Sequence, residues 1–268
     1  MACNLEKRKD VSDLVFGVDQ VIWCASGFSG RSQGRFKRLA FLGRVIRFAA
    51  WKKIGKVLDQ RGPMRMAQEL QRCGKTGGVL CKHAGTDITL RDPLGNAMPN
   101  ELLPRFIMLS SAAVTRPSWS DDRKRAFPEA SSIPIVKLNP LGLLDVKLKG
   151  EMMMRQTGAP YTIVRSCGIN ATHPDGAVKI STGDTAVGRV NPQDLAKILI
   201  TMLDSTEATG KTFEVYTTEK ETSMFGLMKR SGIKGDCVNQ LASLPLDDPL
   251  PARKRSIGSI GSIGSSAR

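Results

Sequence analysis

The sequence predicts an α/β fold built on an open, mostly parallel sheet. Apolar runs of strand length recur with small residues at their carboxyl ends, and stretches at helical spacing separate them. A chain of 268 residues can bury a sizeable core in one large domain or two small ones. Hydrophobic residues at 41% and charged residues at 24% exclude a wholly disordered chain.

The first strand is Val18 to Ala25, a short apolar run closed by Ser26-Gly27. From Arg35 to about Leu58, Phe36, Leu39, Leu42, Val45, Ile46, Ala49 and Ile54 recur at helical spacing among arginines and lysines, which predicts a basic amphipathic helix or a pair of them. Pro63 to Arg72 predicts another helix, and Val79 to Pro104 has no sustained period and reads as mostly loop. Phe106-Ile107-Met108-Leu109 followed by Ser110-Ser111-Ala112-Ala113-Val114 has the continuous apolar character of a central parallel strand. A helix follows from about Leu143 to Thr157, with Asp145 and Lys149 at i,i+4 and Gly158 as its stop. Tyr161 to Arg165 is the next strand. Asn191-Pro192-Gln193-Asp194 carries an N-cap side chain, a proline at the first helical position and an acid in the first turn, so a helix runs from there to about Leu203. Lys211 to Thr217 is the last strand, and beyond about Asp236 the proline-rich chain with its Ser-Ile-Gly repeats predicts a flexible tail. The organisation is therefore 1–34 with the first strand, 35–104 as basic helical insertion and loop, 105–235 as the α/β part and 236–268 as tail.

Charge is distributed unevenly. The formal net charge is +15, and residues 31–82 alone carry fourteen basic and two acidic residues, whereas 83–250 are balanced. With Phe36, Phe41, Phe48 and Trp51 interleaved, the basic segment suits RNA, where cations meet phosphates and rings stack on bases. It equally suits an anionic membrane surface, or an apolar stripe packed on the sheet with a solvated basic face. No run of about 18 uncharged apolar residues occurs, so no spanning helix is expected, and Met1 to Glu6 lacks the apolar core of a secretion signal. Six scattered cysteines without Cys-x-x-Cys spacing read as reduced thiols. Cys73, Cys81 and His83 lack a fourth ligand at a familiar spacing, so no metal site is expected.

Several of these stretches, taken in order, resemble one family. Gly17 to Gly27, then Arg105 to Pro117, look like the fourth and fifth strands of NmrA-like atypical short-chain dehydrogenases/reductases. Val57 to Gly62 is similar to the family's turn into its fifth helix, and Lys147-Leu148-Lys149-Gly150-Glu151 before Tyr161-Thr162-Ile163-Val164-Arg165 to its active-site helix and sixth strand. The plant and algal plastid branch is the nearest match, so the resemblance implies the chloroplast, with the cytoplasm as the alternative compartment. The resemblance implies a Rossmann-like sheet holding NAD or NADP across the carboxyl ends of its strands, and an oxidoreductase. In the family a strand, a glycine-rich phosphate turn and two more βα units come first; sixteen mostly polar residues stand in their place, so the fold is expected to be partial and the chain a fragment. Ala25-Ser26-Gly27-Phe28-Ser29-Gly30-Arg31 itself resembles a phosphate turn, but its next glycine, Gly34, is one residue too far on, and three further strands would then be needed before Pro104.

Site residues follow from the resemblance. Lys147 would hold the ribose hydroxyls, and it could instead be a solvated lysine paired with Glu151 at i,i+4. Ser110 and Ser111 would lie near the nicotinamide, with Ser111 a candidate proton relay, or would hydrogen-bond their own turn. Ala25, Ser26, Gly27, Cys167, Gly168 and Ile169 complete the expected cofactor contacts. The family's usual tyrosine four residues before the lysine is Leu143 here, which leaves general acid catalysis without its usual group. The alternative is a non-catalytic assembly or RNA-binding factor that uses residues 31–82.

Overall fold

A computed structural model describes residues 4–26, 46, 49–50, 58–73, 90–91, 97–98, 103–217 and 239–248. In chain order these form α1 (Arg8–Val15), β1 (Val21–Trp23), α2 (Leu58–Cys73), β2 (Leu90–Arg91), β3 (Ala97–Met98) and β4 (Phe106–Ser111). Three short helices follow, α3 (Asp121–Ala126), α4 (Pro128–Ser132) and α5 (Pro134–Leu138), then α6 (Leu143–Arg155), β5 (Tyr161–Ser166), β6 (Gly168–Ile169), β7 (Val178–Ser181), β8 (Arg189–Val190), α7 (Pro192–Thr201) and β9 (Lys211–Thr217).

The sheet order is β1-β4-β5-β9-β8-β6, with β7 also paired to β9. The pairs β1–β4, β4–β5 and β5–β9 are parallel, whereas β7 and β8 run antiparallel to β9. Strands of this kind must be buried on both faces, and alternation along each strand sends successive side chains to opposite sides. Phe106, Met108, Tyr161 and Ile163 pack with Trp23, Val11, Val15, Met66, Ala67, Leu70 and Met154, so α1, α2 and α6 cover one face. Ile107, Val164, Phe213 and Val215 pack with Leu195, Ile198, Leu199 and Met202, so α7 covers the other. This is an α/β, Rossmann-like sheet wound on both sides.

The basic helix expected from Arg35 to about Leu58 lies almost wholly outside the described residues; the other predicted main strands and helices are present with shifted ends. Asn191 caps α7 by accepting from the backbone N–H of Gln193, and Gly158 stops α6 at a φ of +75°. Helix α2 already includes Leu58, five residues before the expected Pro63, because a proline inside a helix removes one hydrogen bond without having to end it. Gly62 lets the Trp23 ring lie directly on this helix; a Cβ there would be 2.6 Å from the ring. Between Val79 and Pro104, β2 and β3 pair as a small antiparallel sheet of their own instead of a loop throughout. Asp145 accepts from Asn139 instead of pairing with Lys149.

Residues 239–248, assigned by the sequence to the tail, pack on the sheet. Leu241 is fully buried among the residues of the α7 face. Asp247 accepts from Thr212 N–H at 2.9 Å and from the Tyr161 hydroxyl at 2.8 Å. Of the basic segment 31–82, residues 58–73 are α2, and most of the rest lies outside the described residues. No helix among the described residues is long and apolar enough to cross a membrane.

Candidate functional site

Parallel strands end together, and their carboxyl ends leave a concavity where the connections part to either side. Ser110 is level with Arg165 and Ser111 with Ser166, so β4 and β5 end at the same height. Above them opens a cleft of about 1230 Å³ lined by Ser111 to Ala113, by Ser166 to Ile169, by Leu143, Leu144 and Lys147 of α6, and by Ala186 to Arg189 with Thr217. Ile133 and Ile135 close one side.

Of the residues expected at a site, Ser111, Lys147, Cys167, Gly168 and Ile169 all line this cleft. Ser110 does not. Alternation turns its side chain to the α6 face, where its hydroxyl lies 2.5 Å from Glu151 Oε1. Ala25 lines a separate apolar pocket of about 380 Å³ between α1, α2 and β1. Ser26 donates to Asp59 Oδ1 at 2.7 Å, and Gly27 lies outside the described residues.

The lysine has a different partner from the one its spacing suggested. Lys147 Nζ donates to Asp59 Oδ1 at 3.1 Å; Glu151 is instead held by Arg165 at 2.7 Å and 3.1 Å. Glu151 faces the sheet, one turn below Lys147, so the two side chains answer to different surroundings. Asp59 is 3% exposed, and its approach depends on Gly150, where a Cβ would stand 2.0 Å from the Asp59 carbonyl oxygen. Pro63 cannot donate to that carbonyl, and the missing side chain of Gly150 leaves room for it. An ammonium has three donors, of which Asp59 uses one.

A buried acid supports the floor. Asp184 has a φ of +61°, and its carboxylate accepts from Ala113 N–H at 2.6 Å, Thr115 N–H at 2.8 Å and the Thr115 hydroxyl at 2.7 Å. Ala113, itself at a φ of +81°, is held in this strained turn by that bond. Arg116 is 1% exposed and donates to three carbonyls, of Asp184, Ala130 and Ala186, with the Asp184 carboxylate 3.6 Å away. Glu214 accepts from Asp184 N–H at 2.9 Å, and burial, more than any neighbour, pushes its carboxyl above the ordinary range. The Cys167 thiol donates to the Ala186 carbonyl at 3.5 Å; burial pushes it up to about 12, with Arg116 opposing and the nearby acids reinforcing. It stays protonated at neutral pH and is no nucleophile.

Proton donors in the cleft are few. Leu143 lines it where a tyrosine would be expected, Tyr161 is engaged with Asp247, and Tyr216 is not among the lining residues. The sequence reading missed Asp59, Arg116, Asp184, Lys179 and Arg189. A signal existed for Arg116, next to proline after the central strand, and for Asp184, in Thr182-Gly183-Asp184-Thr185; Asp59 had none that pointed to Lys147.

No protein-family model matches the sequence, and no curated protein matches it. Among solved structures the chain is similar to a protein named as an NAD-dependent epimerase/dehydratase from Bacillus halodurans, at 20% identity, 81% of this chain, 72% of that one and a TM-score of 0.48. It is similar to ChuY, an anaerobillin reductase from Escherichia coli O157:H7, at 12% identity, 82% of this chain, 75% of that one and a TM-score of 0.45. A short-chain dehydrogenase/reductase from Veillonella parvula in complex with NADP shares 11% identity over 82% of this chain and 72% of that one, with a TM-score of 0.45.

Proposed function

We propose that this chain binds a nicotinamide dinucleotide, NADP or NAD, across the carboxyl ends of β4 and β5, as an NmrA-like atypical short-chain dehydrogenase/reductase. One observation carries the reading: α6 presents Lys147 to the cleft that Ser111 and the Cys167-Gly168-Ile169 loop also line. The residues present fit the ribose and nicotinamide half of such a molecule. Two of the three lysine donors are left for a ribose diol, Asp59 fixes the direction of the third, and Gly168, whose nearest neighbour to a Cβ is 3.5 Å away, lets the backbone approach a ring closely. When bound, the dinucleotide supplies hydride chemistry. The protein's own residues hold the ribose at Lys147 Nζ and a proton at the Ser111 hydroxyl, directly or through water, since no tyrosine lines the cleft.

The test is thermal unfolding of the purified chain with and without about 1 mM NADPH or NADH, because a ligand bound only by the folded state raises the melting temperature. The expected result is an upward shift with one nucleotide that the double variant Lys147→Met, Asp59→Asn loses; the pair leaves no buried charge unmatched. A cooperative transition that moves with neither nucleotide overturns the reading.

A further inference from the structure

Ala186, Val187 and Gly188, in the loop between β7 and β8, form one wall of the cleft. The loop has no regular structure, so its buried N–H groups need acceptors from elsewhere. Glu214 supplies them. Its carboxylate, fully buried on β9 level with Ser181, accepts from the N–H groups of Asp184 at 2.9 Å, Thr185 at 3.2 Å and Ala186 at 3.4 Å, and from the Ser181 hydroxyl at 3.0 Å. Three successive N–H groups on one carboxylate, with Asp184 in the left-handed region at a φ of +61°, make the kind of nest that binds anions. Asp184 passes the hold on, since its own carboxylate accepts from Ala113 N–H on the cleft floor. Arg116 grips the carbonyls of Asp184 and Ala186 in the same loop.

The buried charges around Glu214 do not balance. Two arginines, Arg116 and Arg165, stand among three acids, Glu151, Asp184 and Glu214. Glu151 has Arg165 at 2.7 Å, and Asp184 has Arg116 at 3.6 Å. Glu214 is left with four neutral donors, and Arg165 acts on it only through space. The Cys167 thiol is its other titratable neighbour, and Lys179, two residues from Ser181 along β7, is exposed to screening solvent. Burial raises the Glu214 carboxyl most. The bond from Asp184 N–H opposes this, the Asp184 charge adds to it, and the Ser181 bond and Arg165 charge oppose it again. Among these acids Glu214 is therefore the one placed to take up a proton where ordinary carboxyls stay ionised. A protonated carboxyl turns one acceptor oxygen into a donor. Where every neighbour is a donor, at least one of them then loses its partner.

We propose that Glu214 is a positioning residue of the cleft: as a carboxylate it holds residues 184–186, and through Asp184 the Ala113 turn, where a cleft ligand meets them, and its protonation releases that wall. That the ligand so positioned is a dinucleotide rests on the reading above; the hold of Glu214 on the loop does not.

The test is amide hydrogen exchange of the full chain, read by NMR and corrected for the intrinsic effect of pH. Between pH 8 and pH 5 the amides of Thr185 and Ala186 should lose at least tenfold in protection, while those of Ile163 and Val164 in β5 keep theirs. Glu214→Gln, which cannot accept from all four donors, should show the low value at both ends of that range. Ser181→Ala removes a bond that favours the charged form, so it should move the loss to higher pH, and it serves alone if Glu214→Gln does not fold. Protection of Thr185 and Ala186 that ignores pH overturns the proposal. So does a loss that β5 shares, because the whole fold then opens, and so does Glu214→Gln with wild-type protection at pH 8. At pH 8, about 1 mM NADPH should add protection at residues 186–188 in the wild type and not in Glu214→Gln. Equal protection by NADPH in both proteins overturns the positioning role. A chain that NADPH protects nowhere, but whose loop still responds to pH, supports the role of Glu214 while refuting the dinucleotide reading.

Discussion

Gly150→Ala is the substitution on which the geometry of the site bears most directly. Helices α2 and α6 cross where Gly150 meets the backbone of Asp59, and a Cβ at Gly150 would lie 2.0 Å from the Asp59 carbonyl oxygen. No side-chain rotation relieves a contact with backbone, so the helices must part by about 1 Å before the separation reaches even 3.0 Å. Alanine in a helix interior is worth about 1 kcal/mol over glycine. Overpacking a filled interface costs about 1–3 kcal/mol, and a backbone clash belongs at the upper end. The net expectation is a loss of about 2 kcal/mol, which for a protein of this size lowers the melting temperature by about 4–8 °C. Parting the helices also stretches the 3.1 Å bond from Lys147 to Asp59, so the NADPH-induced shift should shrink as well. Urea and thermal unfolding of Gly150→Ala are compared with Gly168→Ala, where the nearest neighbour to the new Cβ is 3.5 Å away and the change should stay within about 0.5 kcal/mol. A Gly150→Ala protein as stable as Gly168→Ala would refute the close crossing, and with it the account of how Asp59 reaches Lys147.

Two other outcomes follow from the charges. Cys167 lines the cleft, yet its thiol is pushed up to about 12, so at pH 8 the thiolate is about one part in ten thousand. Iodoacetamide should therefore label Cys167 on the order of a thousandfold more slowly in the folded protein than in urea, as read by peptide mass spectrometry; equal rates would show the thiol to be activated. Glu69 is held by Arg8 and Arg72, each at 2.6 Å, and although burial raises its carboxyl the two arginines prevail and it sits below the ordinary 4.5. Such a group adds stability above its unfolded pKa and loses it as pH falls through the folded one. Glu69→Gln should thus cost about 1 kcal/mol between pH 6 and 8, limited by the exposure of both arginines, and the difference from wild type should shrink below about pH 4.5. A difference independent of pH would mean that shape and not charge is what Glu69 supplies.

The elements legible in the sequence are those whose signal is local. Phe106–Ser111 and Tyr161–Ser166 read as strands because a central parallel strand is apolar along its whole length, and α7 read as a helix because its cap, proline and periodicity lie within a dozen residues. The short strands β6, β7 and β8 gave no such signal. Two to four residues carry no period, and it is pairing with β9 and with each other that makes them strands. The stretch 239–248 looked like tail because it opens the irregular, proline-containing chain that runs on into the Ser-Ile-Gly repeats; contacts from distant segments, Leu241 in the core and Asp247 on Thr212 among them, tie it down.

The candidate site divides along the same line. Resemblance singled out Lys147, Ser111 and the Cys167–Ile169 loop, and these converge on one cleft; it also singled out Ser110, which the alternation of a strand turns to the opposite face. The partner of Lys147 is 88 residues away in sequence, whereas the local rule nominated Glu151 four residues on. The sequence by itself determined the α/β class, the order of the main strands and helices, and a lysine at the head of the helix between two central strands, because burial on both faces and helical capping are written in neighbouring residues. Tertiary structure alone decided which acid meets that lysine, which serine reaches the cleft, and that Ile135, Ile169 and Val187 line the same cleft. Those are contacts between segments far apart in the chain, and they exist only once the sheet has brought the segments together.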